Sequence, residues 1–202
     1  LLISSSISLL ILMLSSTASF LSIQNLLSSN ALVNHTQEVI SDLNKANSLM
    51  VDAQSAMRGF LVTGNEVFLD DFTEIEKESN TYFKKLESLT RDNPMQQQNL
   101  ARLKPMRANF FKYLNRRINQ KKTEETVLTY DLTIGKELMA DMTKISRDIQ
   151  DTENMLLTER NLNSKNYGFY TVILILVAFI ISFVITIVFF VRVLRDYNER
   201  VL

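Results

Sequence analysis

Between residues 24 and 166 the apolar side chains recur at the spacing of amphipathic helices. Four stretches place them three, four or seven positions apart, which puts each set on one face of a helix. Helices of this kind bury their apolar faces together at shallow crossing angles. The pattern therefore predicts an all-α fold, an antiparallel four-helix bundle. The predicted core positions are Val33, Ile40, Leu43, Met50, Met57 and Leu61 in the first helix; Phe68, Phe72, Ile75, Tyr82, Phe83, Leu86 and Leu89 in the second; Leu100, Leu103, Phe110, Leu114 and Ile118 in the third; and Leu138, Met142, Ile145, Ile149 and Leu156 in the fourth.

Short polar segments divide this pattern into helices. Gly64 can adopt a positive φ just after the first helix, and Asn65 can cap the element that follows. Asn93 can cap the third helix, and Pro94 suits the first position of that helix. These residues predict sharp helix ends near Gly64 and Asn93.

The turn before the fourth helix is the least defined break. It lies between Gln120 and Gly135, and two positions for it are open. Thr123, followed by Glu124 and Glu125, has the composition of a helix start. Alternatively, the turn comes near Gly135.

An uncharged segment of 26 residues, Asn166–Val191, is long enough to cross a membrane. Tyr167 and Tyr170 lie at one end, where an aromatic belt is expected. Arg192 and Arg195 lie at the other end and mark it as cytoplasmic by the positive-inside rule. We expect a transmembrane helix here that continues the fourth helix of the bundle.

Residues 1–23 also lack charge and are rich in serine, whose hydroxyls a membrane helix tolerates. We interpret this segment as a second span that continues into the first bundle helix; a signal peptide is the alternative. The chain begins at Leu1 rather than Met, so we take it to be a piece of a longer protein. The predicted organisation is a span at 1–23, an extracytoplasmic bundle at 24–166, a span at 167–191 and the start of a cytoplasmic signalling helix at 192–202.

Composition narrows the function classes. The chain has 4 Gly, 2 Pro and no Cys, which favours a few long helices and excludes disulfides and thiolate chemistry. A net charge of zero, without a basic stripe, argues against a nucleic-acid partner. The lone His35 has no acidic cluster beside it, and no phosphate loop or catalytic triad motif is present. We therefore expect no catalytic site, no metal and no cofactor within these residues.

Two polar residues, Asn47 and Gln54, interrupt the apolar face of the first helix. Polar groups in a helix seam fix the register of packing, and they can allow two packings of similar energy. We expect a role of this kind for both, with ordinary buried contacts or a ligand contact as alternatives.

Arg58 and Gly59 stand out further along the same helix. A glycine within a helix costs about 1 kcal/mol relative to alanine, so Gly59 predicts a close contact with another helix. We expect Arg58 to pair with Asp70 or Asp71 after the turn. The alternatives are a ligand contact and a surface arginine beside a chance glycine.

Two blocks of the sequence resemble the CHASE3 family. Residues 52–72, DAQSAMRGFLVTGNEVFLDDF, resemble its Arg-Gly-aromatic-Leu-x-Thr-Gly block, and residues 134–161, IGKELMADMTKISRDIQDTENMLLTERN, resemble its second block. Arg147 departs from the family's Ile-Arg pair by one position, so no role is carried over to it. The resemblance assigns structural or signalling roles to Arg58, Gly59, Thr63, Gly64, Gly135 and Arg160.

The resemblance implies a sensor outside the cytoplasm, most often at the head of a bacterial histidine kinase. We expect a homodimer in the inner membrane that responds to an unidentified stimulus and passes the response to an output domain after Leu202. An input region of a chemoreceptor or diguanylate cyclase is one alternative. A structural membrane coiled coil that senses nothing is another.

Overall fold

The structure, a computed structural model, describes the backbone of residues 2–123 and 133–201 and the side chains of residues 9–123 and 133–195. All regular structure in these ranges is helical, which confirms the all-α class. The elements are α1 (Leu2–Thr63), a 3₁₀ helix (Glu66–Leu69), α2 (Phe72–Leu89), α3 (Pro94–Thr123) and α4 (Thr133–Val201).

The chain divides into two compact units. The first, here the helix pair, contains the residues of α1 up to Val33 and those of α4 from Thr158 onward. The second, here the four-helix unit, contains Asn34–Leu157. The four-helix unit lies within the range 24–166 that the sequence assigns to the bundle.

All four α-helices contribute to one core in the four-helix unit. The spacing in α3 is confirmed completely, because all five of its predicted core residues are buried. In α1 and α4 the central predicted positions are buried, whereas Val33, Ile40, Leu138 and Leu156 are half-buried. Neighbouring residues that the spacing did not select complete the core: Val39, Ala46, Leu49, Ala53, Phe60 and Phe111.

The break after α1 has the predicted geometry. Gly64 adopts a φ of +71°, and its N–H donates to the carbonyl of Phe60 over 2.8 Å. Asn65 Oδ1 accepts from the N–H of Val67 over 3.0 Å, so Asn65 caps the 3₁₀ helix rather than α2. Phe68 belongs to this 3₁₀ helix, and its side chain is 46% exposed. The prediction that Phe68 shares the core face of the second helix is therefore wrong.

The two remaining breaks fall at Asn93 and beyond Thr123. Asn93 Oδ1 accepts from the N–H of Gln96 over 3.2 Å, and α3 begins at Pro94, as predicted. A helix start at Thr123 is wrong, because Thr123 is the last residue of α3 and its hydroxyl donates to the carbonyl of Asn119. The turn itself, with Glu124 and Glu125, lies outside the described residues.

Polar side chains connect α1 and α4 within the helix pair. Arg160 donates to the carbonyl of Leu32 over 3.2 Å, and the Ser22 and Thr171 hydroxyls lie 2.6 Å apart. Most apolar side chains of the helix pair are exposed. Both helices are long and apolar enough to cross a membrane, and their most apolar windows are 0% buried.

Candidate functional site

The two polar residues predicted in the seam of α1 both contact α4. Asn47 Oδ1 accepts from the hydroxyl of Ser146 over 2.9 Å. Gln54 is buried, and its Nε2 donates to the backbone carbonyl of Gly135 over 3.2 Å. Because each contact joins two different helices, the relative position of α1 and α4 determines whether it can form.

Gly135 is buried where α3 approaches α4 closely. A Cβ added at this position would lie 2.8 Å from Cε1 of Tyr113 and 3.3 Å from its hydroxyl. Such distances are shorter than van der Waals contact, so a larger residue would displace the Tyr113 ring. Gly135 thus combines a backbone acceptor for α1 with close packing against α3.

Gly59 also marks a close contact, although its partner is not another α-helix. A Cβ at this position would lie 2.8 Å from Cγ and Cε1 of the Phe68 ring. Phe68 therefore covers the backbone of α1, and the 3₁₀ helix can pack there because Gly59 has no side chain. Thr63 Oγ1 donates to the Gly59 carbonyl over 2.7 Å and accepts from the Asn65 N–H over 3.1 Å.

Arg58 does not form the predicted ion pair. Within the described part of the chain its guanidinium contacts neither Asp70 nor Asp71. It lines a groove between α1 and α4 with a volume of about 370 Å³. The residues that line this groove, here called the basic groove, are Gln54, Arg58, Lys136, Met139, Ala140, Thr143, Lys144 and Arg147.

A buried polar cluster that the sequence did not predict joins α3 and α4. Glu153 is only 3% exposed, and its Oε1 accepts from Nε2 of the buried Gln96 over 2.8 Å. The same Nε2 also donates to the carbonyl of Ile149 over 3.1 Å. A buried carboxylate needs donors of this kind, since leaving it without them is costly.

Charged contacts between α1 and α2 form a second cluster that the sequence did not reveal. Lys85 Nζ lies 2.8 Å from Glu38 and 2.9 Å from Asp42. The hydrogen bond from Lys85 lowers the pKa of Glu38, and the hydrogen bond to Glu38 raises the pKa of Lys85. Both shifts favour the charged forms that hold the two helices together at neutral pH.

Arg107 of α3 is packed between aromatic rings. Its guanidinium lies 5.3 Å from the Phe83 ring centre and 5.7 Å from that of Phe111, and it donates to Asn80 over 2.9 Å. Burial lowers the pKa of Arg107, although an arginine stays protonated at physiological pH. Its role is to pack α3 against α2.

A match to a protein-family model identifies the family of this chain. The model of the CHASE3 domain matches residues 29–163, well over half of the chain. The chain belongs to the CHASE3 family. CHASE3 is a sensor domain found in bacterial signalling receptors. No curated protein and no solved structure shows significant similarity to the chain.

The CHASE3 match contains the residues singled out by the resemblance, from Arg58 to Arg160. It is followed by the uncharged part of α4, where Tyr167 and Tyr170 are 42% and 64% exposed and Arg192 is exposed. A sensor domain with an apolar helix at each end of the chain indicates a membrane protein. The anchoring role of these tyrosines and of Arg192 and Arg195 stays a prediction.

Proposed function

We propose that this chain is the extracytoplasmic sensor and signal-transmitting region of a two-component histidine kinase in the bacterial inner membrane. Membership of the CHASE3 family supports the sensor role, and the two apolar helices support the membrane location. In this proposal residues 24–166 face the periplasm and the chain acts as a homodimer. The kinase activity would belong to a domain after Leu202 and not to these residues.

The sensor would be an antiparallel four-helix bundle whose first and fourth helices continue into the spans. Cross-helix contacts support the antiparallel order, because higher residue numbers on one helix meet lower numbers on the next. Asn47 pairs with Ser146 while Gln54 pairs with Gly135, and Lys104 pairs with Glu87 while Asn115 pairs with Glu76.

The observation that carries the transmission mechanism is that α1 and α4 each supply both the core and a candidate span. Neither helix is interrupted between Leu2 and Thr63 or between Thr133 and Val201. A stimulus that changes the packing of α1 against α4 would then move the spans as a piston, rotation or tilt. Two packings that differ by a few kcal/mol are enough for such a switch.

Insertions after Val191 test this mechanism. An insertion of two residues turns the following helix by about 200°, whereas seven residues turn it by about 700° and nearly restore its phase. We expect two inserted residues to abolish or invert the response of the output domain and seven to preserve it. Equal output from both variants, at equal membrane levels, would contradict a rigid helical connection.

The sequence after Leu202 tests the assignment to a histidine kinase. A phosphoacceptor histidine block is the expected result. A GGDEF block or a long methylation coiled coil would reassign the same sensor to a diguanylate cyclase or a chemoreceptor. A scaffold that senses nothing would instead show cross-links between the spans that no stimulus changes.

A further inference from the structure

We propose that the basic groove binds a small organic anion that carries two or more carboxylate or phosphate groups. This proposal deepens the proposed sensor function, on which it rests, because it names the chemical class of the ligand. The groove is formed by Gln54 and Arg58 of α1 and by one stripe of α4 that runs from Lys136 to Arg147.

The charge of the groove is the main support. Four of its eight lining residues are cations, Arg58, Lys136, Lys144 and Arg147, and no carboxylate is among the described residues that line it. None of these four forms an ion pair within the described part of the chain. Like charges confined to a cleft repel one another and attract counter-ions, so a bound anion would relieve the repulsion.

Carboxylates of α4 flank the groove stripe but do not line the groove. Asp141 lies three positions before Lys144 and Asp148 lies four positions after it, so both neighbour Lys144 on the helix surface. Asp151 lies four positions after Arg147 in the same way. None of these carboxylates forms an ion pair with a groove cation in the described part of the chain.

The size and floor of the groove suit a small molecule. Its volume of about 370 Å³ falls at the low end of the range for ligand pockets. Gln54 and the half-buried Met139 connect it to the core, while the cations lie around them. The two arginines can each bind a carboxylate or phosphate through two parallel N–H groups, which provides orientation as well as charge.

A ligand in this groove would act on the contact that the sensor mechanism needs. Gln54 lines the groove and also donates to the Gly135 carbonyl, so both helices meet at the same side chain. An anion held by Arg58 and Lys144 would draw α1 and α4 together. Self-association through this face is disfavoured, because a two-fold interface would bring like charges together.

Titration calorimetry on the full chain in nanodiscs of zwitterionic lipid tests the proposal. The probes are citrate, succinate and inorganic phosphate. We expect saturable binding of citrate or succinate, with weaker binding of inorganic phosphate, which carries a single acidic group. The affinity should be at least tenfold weaker for the double variant Arg58→Gln, Lys144→Gln. The control Lys84→Gln, Arg102→Gln removes the same charge from exposed positions of α2 and α3 and should bind like wild type.

Three outcomes would overturn the proposal. The first is the absence of binding by both citrate and succinate up to about 10 mM. The second is an equal loss of affinity in the groove and control variants. The third is a loss of probe binding when anionic lipid is added to the nanodiscs. The last would assign the groove to lipid headgroups. Circular dichroism confirms that each variant is folded. Ligand binding is measured without any output domain. A failure to bind the probes therefore does not contradict the helical connection that the insertion experiment tests. A failed insertion experiment likewise does not contradict binding in the groove.

Discussion

Three hydrogen bonds of buried or half-buried polar side chains join neighbouring helices of the four-helix unit. Asn47 bonds to Ser146, Gln54 to the Gly135 carbonyl, and Gln96 to Glu153. Each bond replaces hydration that both groups lose on burial, so losing one partner costs more than the bond itself contributes. Such bonds therefore fix which residues of two helices lie opposite each other.

The Gln96–Glu153 contact gives a stability prediction. Replacing Gln96 by Leu removes the donor to a buried carboxylate and should lower the free energy of unfolding by about 1–3 kcal/mol. Denaturant unfolding of the protein in detergent measures the change. The exposed Gln98→Leu on the same helix is the control and should change it by less than about 0.5 kcal/mol. The double variant Gln96→Leu, Glu153→Leu should recover much of the loss; a double variant as unstable as the single one would contradict this role.

Lys85 gives a pH-dependent prediction. Its hydrogen bond lowers the pKa of Glu38 in the folded state, so the resulting stability is present above the unfolded pKa and is lost as the pH falls through the folded pKa. Lys85→Met should therefore lower the melting temperature at neutral pH, and the difference from wild type should shrink below about pH 4. Thermal melts across this range measure it. Lys84→Met, at an exposed position of the same helix, should melt like wild type at every pH; a Lys85 effect that persists unchanged in acid would contradict the ion pair.

At the level of helices, sequence spacing located the elements but not the full width of their buried faces. Ala46, Ala53, Phe60 and Phe111 are buried beside the positions that the spacing selected. A helix in a globular unit buries a stripe at least about 100° wide, whereas a strict heptad count selects a narrower seam. The missed residues fall within that wider stripe.

Local hydrogen bonding explains two further errors. Asn65 binds the N–H of Val67 and starts a 3₁₀ helix, which removes Phe68 from the face of α2. Thr123 and the acids after it have the composition of a helix start, yet the hydrogen bonds of α3 continue through Thr123. The spacing of apolar residues does not predict local hydrogen bonds of this kind.

The contacts between distant segments could not be read from the sequence. From the sequence alone, Lys136, Lys144 and Arg147 would each be interpreted as solvated surface residues. Only the packing of α4 beside Arg58 shows that they line one groove. Glu153 would likewise be interpreted as a surface carboxylate. The structure shows instead that Gln96 of α3 donates to it. By contrast, Gly64 and Asn93 were predictable, because their roles depend only on neighbouring backbone.

The packing of the 3₁₀ helix on α1 is testable with a double-mutant cycle. Gly59→Leu should lower the free energy of unfolding by about 1–3 kcal/mol, because the new side chain meets the Phe68 ring. In a Phe68→Ala background the same change should cost much less. Denaturant unfolding of the four proteins gives the coupling. Additive effects would mean that Gly59 and Phe68 are not in contact.

At the scale of the whole molecule, the exposed apolar surface of the helix pair requires an apolar environment. Leu9, Phe20, Phe179 and Ile180 are each more than half exposed. Such a density of exposed apolar side chains is unfavourable in water and suits lipid. Together with a CHASE3 domain, this surface indicates a membrane protein and supports the proposal that it spans the membrane twice.

Labelling of single cysteines in intact cells tests that account most directly. The chain has no natural cysteine, so each introduced thiol reports one position. We predict that a membrane-impermeant maleimide labels Ser88→Cys from the periplasmic side and labels Asn198→Cys only after the inner membrane is opened. Ile180→Cys, although 59% exposed in the structure, should stay unlabelled because lipid covers it. Labelling of Ser88→Cys and Asn198→Cys from the same side, or labelling of Ile180→Cys, would contradict a sensor that signals across the membrane.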